Sequence, residues 1–170
     1  LPEKVKSVDL TTQNLYTLTD DSVKLINNLK QDVTLYVLSA ENSADDTVVR
    51  TLENYKDESS HIKVEYVDPA VSPNFYSSYT DAAPSDGSII VVSGKKSKVI
   101  DASDLYEYSV DYSTYTQTKS AYDGEGQLTS AISYVTSDNQ PKVYVITGHG
   151  VSSLDSSFQT ALEKMNIAVE

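Results

Sequence analysis

The chain has 170 residues, 39% of them apolar, which suits one ordinary domain or one domain with part of another. With 13 Lys and Arg against 25 Asp and Glu, the formal charge is −12, and such a surface repels phosphate backbones and bare anionic membranes. Cysteine is absent, which excludes disulfides, thiol redox chemistry, Cys–zinc sites and Cys nucleophiles.

The aromatic set is thirteen Tyr, two Phe and no Trp. Tyr packs its ring while its hydroxyl stays wet, a balance that suits an exported domain. No apolar run approaches the roughly 20 residues that span a bilayer, and no signal peptide is visible. The chain opens at Leu1 and stops at Glu170 inside the apolar run Ile167-Ala168-Val169, so it is read as a piece of a longer protein.

Residues 4–10 read as a first strand on Val5, Val8 and Leu10. Thr19 is placed to cap a helix over 20–30, with Asp20 and Asp21 in its first turn and Val23, Ile26 and Leu29 as its buried stripe. Val33 to Leu38 is nearly continuous apolar sequence, the pattern of a parallel strand buried on both faces. Asp45 and Asp46 open a second helix over 45–58, with Val48, Leu52 and Tyr55 inward. Residues 62–67 alternate and predict a wetter or edge strand, closed by Asp68-Pro69. The stretch 69–87 holds three of the five prolines and reads as an irregular connection.

Ile89–Val92 and Lys98–Ile100 flank Gly94-Lys95-Lys96, a hairpin signal. Ser103 is placed to cap a short helix containing Leu105. Residues 109–122 are polar and Tyr-rich with few core candidates, and read as a surface loop or linker. After Gly124 the pattern restarts. Leu128, Ile132 and Val135 stripe a helix over 125–137, Lys142 to Thr147 is a buried-type strand, and Phe158, Leu162 and Met165 align on a helix over 155–165.

The order β-α-β-α-β, a long connection, then β-β-α resembles the thioredoxin-like fold. The following α-β-α-β resembles the start of a doubly wound sheet. The fold class is therefore α/β: a thioredoxin-like first domain over 1–122, lacking CxxC, then a truncated second α/β domain over 123–170.

A thioredoxin carries its redox site after the second strand. Here that stretch is Ser39-Ala40-Glu41-Asn42-Ser43-Ala44-Asp45, without a thiol and crowded by acids, and it reads as a loop and cap. Gly148-His149-Gly150 follows a buried strand and precedes a helix, where open α/β sheets bind ligands. These three are the candidate ligand or partner contacts, against a plain structural turn as the alternative. The motif does not extend to GxGxxG, because Ser153 holds the last place. His61 reads as a surface residue. Two His without Cys argue against structural zinc, the acidic pairs match no EF-hand, and Ser152-Ser153 form no GxSxG elbow. No catalytic, metal or cofactor residues are predicted.

Three blocks carry a family resemblance: Asp9-Leu10-Thr11 with Leu15-Tyr16-Thr17-Leu18-Thr19, then Gly126 to Thr136, then Lys142 to Gly150. Together they resemble the GldG-like, gliding-motility-associated auxiliary component of bacterial ABC-type transport systems. Val151 stands where the family pattern has an acid after Gly-His-Gly.

The resemblance implies membrane helices outside this region, with the intervening part on the outer side of the bacterial cell membrane. It implies an ABC ATPase and permease subunits as partners. It also implies a second domain like class I glutamine amidotransferases but without their nucleophile. The expected function is a non-enzymatic extracytoplasmic accessory or binding component, acting through protein contacts and a substrate. A small-molecule or glycan binding module, using the Tyr-rich stretch 106–122, is the alternative; a degenerate hydrolase using His149 with Ser152 or Ser153 is a third reading.

Overall fold

The computed structural model describes residues 17–113, 115–138, 142–143 and 155–169. The expected strand over 4–10 and the candidate residues Gly148, His149 and Gly150 lie outside the described residues.

Helix α1 spans Asp20–Asn27, and Thr19 caps it by accepting from the Ser22 N–H. Ile26 and Leu29 are buried as expected, while Val23 is only half-buried and Ser22 takes the inward place beside Ile26. Strand β1, Val33–Val37, leads into helix α2, Asp46–Glu58. Asp45 caps α2, accepting from the N–H groups of Thr47 and Val48. The helix buries Val48, Leu52 and Tyr55, as its spacing predicts. Strand β2, Ile62–Tyr66, runs parallel to β1.

After the irregular connection come β3, Ile89–Ser93, and β4, Lys96–Ile100, an antiparallel hairpin. Gly94, at φ 58, is the first turn residue, where a type II′ turn takes glycine. The sheet order is β2-β1-β3-β4, with β3 antiparallel to β1.

The expectation that β1 sits in a parallel sheet with both faces fully buried is corrected here. The sheet is mixed, and only alternate residues of β1 are fully buried. Its second face carries Tyr36, which meets Phe75 edge-on at 4.9 Å and Tyr79 at 5.9 Å, so the proline-bearing connection supplies the cover a helix would otherwise give.

A single 3₁₀ turn, Ala102–Leu105, buries Leu105. Its cap is Asp101, which accepts from the Ser103 N–H, and not Ser103 as the sequence suggested. The largest correction follows. Residues 109–122 are not a loop: strands β5, Tyr106–Asp111, and β6, Thr116–Tyr122, form a two-stranded antiparallel ribbon. A bulge leaves Ser120 without a partner opposite it, since Glu107 faces Ala121 and Tyr108 faces Lys119.

Helix α3, Gly124–Thr136, follows directly. The helix begins against its predecessor, because a β-carbon at Gly124 would overlap the Tyr122 side chain. Its buried residues Leu128, Ala131, Ile132 and Val135 join the same hydrophobic cluster as Val33, Leu35, Ile89 and Ile100. Thus α1, α2 and α3 cover one face of the four-stranded sheet.

The C-terminal segment gives strand β7, Lys142–Val143, helix α4, Ser156–Lys164, and strand β8, Ala168–Val169, parallel to β7. Of the stripe expected on α4, Leu162 is buried, but Phe158 and Met165 are 53% and 58% exposed. Asn166, at φ 57, donates to the Ser130 carbonyl at 2.8 Å and ties this segment to α3. No helix among the described residues is long and apolar enough to cross a membrane.

Candidate functional site

A cavity of about 480 Å³ opens where β1 ends and α2 begins. Its floor is Ser39, Ser43, Ala44, Asp45 and Val48. Asp86 and Gly87 wall one side, Ala102, Ser103 and Leu105 another, and the ribbon adds Tyr106, Tyr108 and Lys119. It lies at the carboxyl ends of β1 and β4, the usual place for ligands in α/β sheets.

Asp45 organises it. One carboxylate oxygen caps α2 by accepting from Thr47 N–H at 2.9 Å, and the other accepts from the Tyr106 hydroxyl at 2.8 Å. Lys119 Nζ stands 3.5 Å from that second oxygen and 3.6 Å from the Tyr106 ring centroid. Burial pushes the Asp45 carboxyl up, but the Tyr106 hydroxyl, the two backbone N–H groups and the Lys119 ammonium outweigh it and hold the group below its ordinary value. Burial and then the bond to Asp45 push the Tyr106 hydroxyl up in turn. The residue read from sequence as a plain cap is therefore also the anchor of the ribbon.

A second carboxylate fixes the wall. Asp101 accepts from Ser103 N–H at 3.0 Å, Ser103 Oγ at 2.8 Å and Ser85 Oγ at 2.9 Å, and Ser88 Oγ approaches at 3.4 Å. The Ser103 N–H, then the Ser103 and Ser85 hydroxyls, bring its carboxyl from the ordinary 3.8 down to about 2. A carboxyl depressed in the folded state stabilises fully above its unfolded value, and that contribution is lost as pH falls toward the folded one. The urea midpoint of the protein is therefore expected to fall between pH 3.8 and about 2, and to fall less steeply in Asp101→Asn. Equal slopes for the two proteins would remove Asp101 from the account.

Other sequence candidates lie elsewhere. His61 is a surface residue, as expected, with Nδ1 2.9 Å from Asp32 Oδ1. Lys63 Nζ donates to the other oxygen of Asp32 at 3.0 Å. The hydrogen bond from His61, then that from Lys63, hold the Asp32 carboxyl low. This trio sits at the amino ends of β1 and β2, opposite the cavity. Among the described residues no group of three or more His, Asp or Glu is placed to hold a metal.

Asp86 was not legible as a site residue, and Tyr106, Tyr108 and Lys119 entered only within the Tyr-rich stretch 106–122 of the glycan-binding alternative. The signal for those three was the alternation Tyr106, Tyr108, Val110 and the β-prone Thr116 and Thr118 opposite. A family model described as "Domain of unknown function (DUF7088)" matches residues 12–104. No curated protein and no solved structure matches the chain.

Proposed function

The chain belongs to the DUF7088 family, and we propose, from the three sequence blocks that resemble GldG-like proteins, that it is a non-enzymatic accessory component of a bacterial ABC-type transport system. In this reading it works on the extracytoplasmic side of the membrane, anchored by segments outside this chain, and docks with the permease and ATPase subunits. The observation that carries the binding role is the cavity at the end of β1. It is lined by carboxylate and phenol groups of the kind that bind ligands, Asp45, Asp86, Tyr106 and Tyr108.

The strand order β2-β1-β3-β4, with β1 and β2 parallel and a helix after the hairpin, supports a thioredoxin-like arrangement. In such an arrangement the redox position falls at Ser39 to Asp45, where the chemistry here is hydroxyl and carboxylate. The parallel pair β7 and β8 around α4 supports a second α/β unit of amidotransferase-like type. The three sequence blocks that resemble GldG-like auxiliary proteins supply the transport context.

The test is a pull-down of the full-length parent protein from bacterial membranes, with partners identified by mass spectrometry. Recovery of an ABC ATPase and permease is expected. Recovery of neither would overturn the accessory role. A second reading, a small-molecule or glycan binding module, is favoured by one observation: Tyr106 and Tyr108 both line the cavity.

A further inference from the structure

We propose that this cavity is a seat for an alkylammonium group, presented by a lysine side chain of a partner peptide or by a free polyamine. The inference rests on the cavity being a binding site and is independent of the transport assignment.

Its volume, about 480 Å³, suits a small organic group. The charged side chains of its lining are Asp45, Asp86 and Lys119, which leave one carboxylate in excess. Asp45 is satisfied by Tyr106, by Lys119 and by the start of α2. Asp86 is exposed, and its carboxylate has no partner among the described residues. Tyr108 is 41% exposed, with Lys119 opposite it across the ribbon.

The chain itself shows what such a surface holds. The Lys119 ammonium lies against a Tyr ring and a carboxylate in this same cavity. A cation is attracted by the negative face of an aromatic ring and by a carboxylate together. Asp86 and Tyr108, lining the same cavity, offer the same two chemistries. An anion would meet the unpaired carboxylate of Asp86 and is disfavoured. A purely apolar ligand would desolvate the exposed Asp86 carboxylate without pairing it.

The experiment titrates the protein with cadaverine, and with pentanediol as the neutral counterpart, following amide shifts by NMR. Shifts at Gly87, Ser103 and Tyr108 with cadaverine, and not with pentanediol, are expected. Asp86→Asn should weaken cadaverine binding by about threefold, the worth of one exposed charge pair. Lys119→Ala removes a competing cation and should tighten it. Circular dichroism confirms that both variants are folded.

A capped lysine peptide compared with cadaverine then identifies the source of the group, and tighter binding of either supports the seat. Pentanediol binding as well as cadaverine would overturn the proposal. So would a hexose binding in place of cadaverine, or Asp86→Asn and Lys119→Ala leaving cadaverine affinity unchanged. A failed pull-down with an intact titration would remove the transport role and leave the seat standing.

Discussion

Replacing Leu128 with Ala is expected to lower the unfolding free energy by about 3 kcal/mol, the usual cost of removing a fully buried leucine side chain. Leu128 is 0% exposed and belongs to the cluster that contains Leu35, Leu52 and Ile89. The helix that carries it comes after the ribbon in sequence, yet it seals the face of the sheet built by residues 33–100. Loss of its side chain should therefore shift one cooperative urea transition, seen identically by far-ultraviolet circular dichroism and tyrosine fluorescence. A loss below about 1 kcal/mol, outside the range measured for such changes, would mean that α3 does not share this core. So would a separate, earlier transition.

The second large effect is expected at Tyr55. Its ring is fully buried, its hydroxyl donates to the Glu125 carbonyl at 3.1 Å, and Thr129 Oγ1 lies 2.6 Å away. Thr129 Oγ1 also meets Ser22 Oγ at 2.7 Å, so one buried polar chain joins α1, α2 and α3. Glu125 closes the same end from outside, its Oε1 accepting from both Thr19 N–H and Thr19 Oγ1 at 2.7 Å.

Tyr55→Phe leaves the packing but removes the hydroxyl's bonds to the part-buried Glu125 carbonyl and Thr129 Oγ1, at a cost of about 1.5 kcal/mol. Burial raises the hydroxyl to about 12 from 10.0. A group raised on folding stabilises fully below its unfolded value and loses that contribution as pH rises through the folded one. The cost of Tyr55→Phe should thus be constant at every pH below 10.0. Thr129→Val should cost less when added to Tyr55→Phe than when made alone, since the two side chains share a bond. Additive costs would show that the chain of hydroxyls is not coupled.

The parts legible from sequence are those where burial writes itself into spacing. The stripe Val48, Leu52, Tyr55 could only bury as a helix, and Ile62, Val64 and Tyr66 could only alternate as a strand. Thr19 and Asp45 announced their helices because a free N–H needs an oxygen there. The ribbon was illegible for the opposite reason. Most of its residues are exposed, so no apolar face marks it, and its anchors to Asp45 and Thr51 lie far away in sequence. The run VTLYVL misled because a strand covered by Phe75 and Tyr79 reads much like one covered by a helix.

The cavity was half legible. Asp45 was visible as a cap, but Lys119 and Tyr106 reach it only through the fold of the ribbon, which spacing does not encode.

The ribbon is tied to the body near its base. Leu105 is buried beneath it, Tyr106 bonds to Asp45, and the Tyr122 hydroxyl donates to Thr51 Oγ1 at 3.0 Å. Its far end exposes Tyr112 and Tyr115 almost completely, at 81% and 87%. Length can therefore change there without disturbing the sheet, and a tag or fluorophore inserted at Ser113 should be tolerated. The same geometry makes the tip a handle: a label placed there sits outside the residues that line the cavity, at the end of the ribbon that carries Lys119.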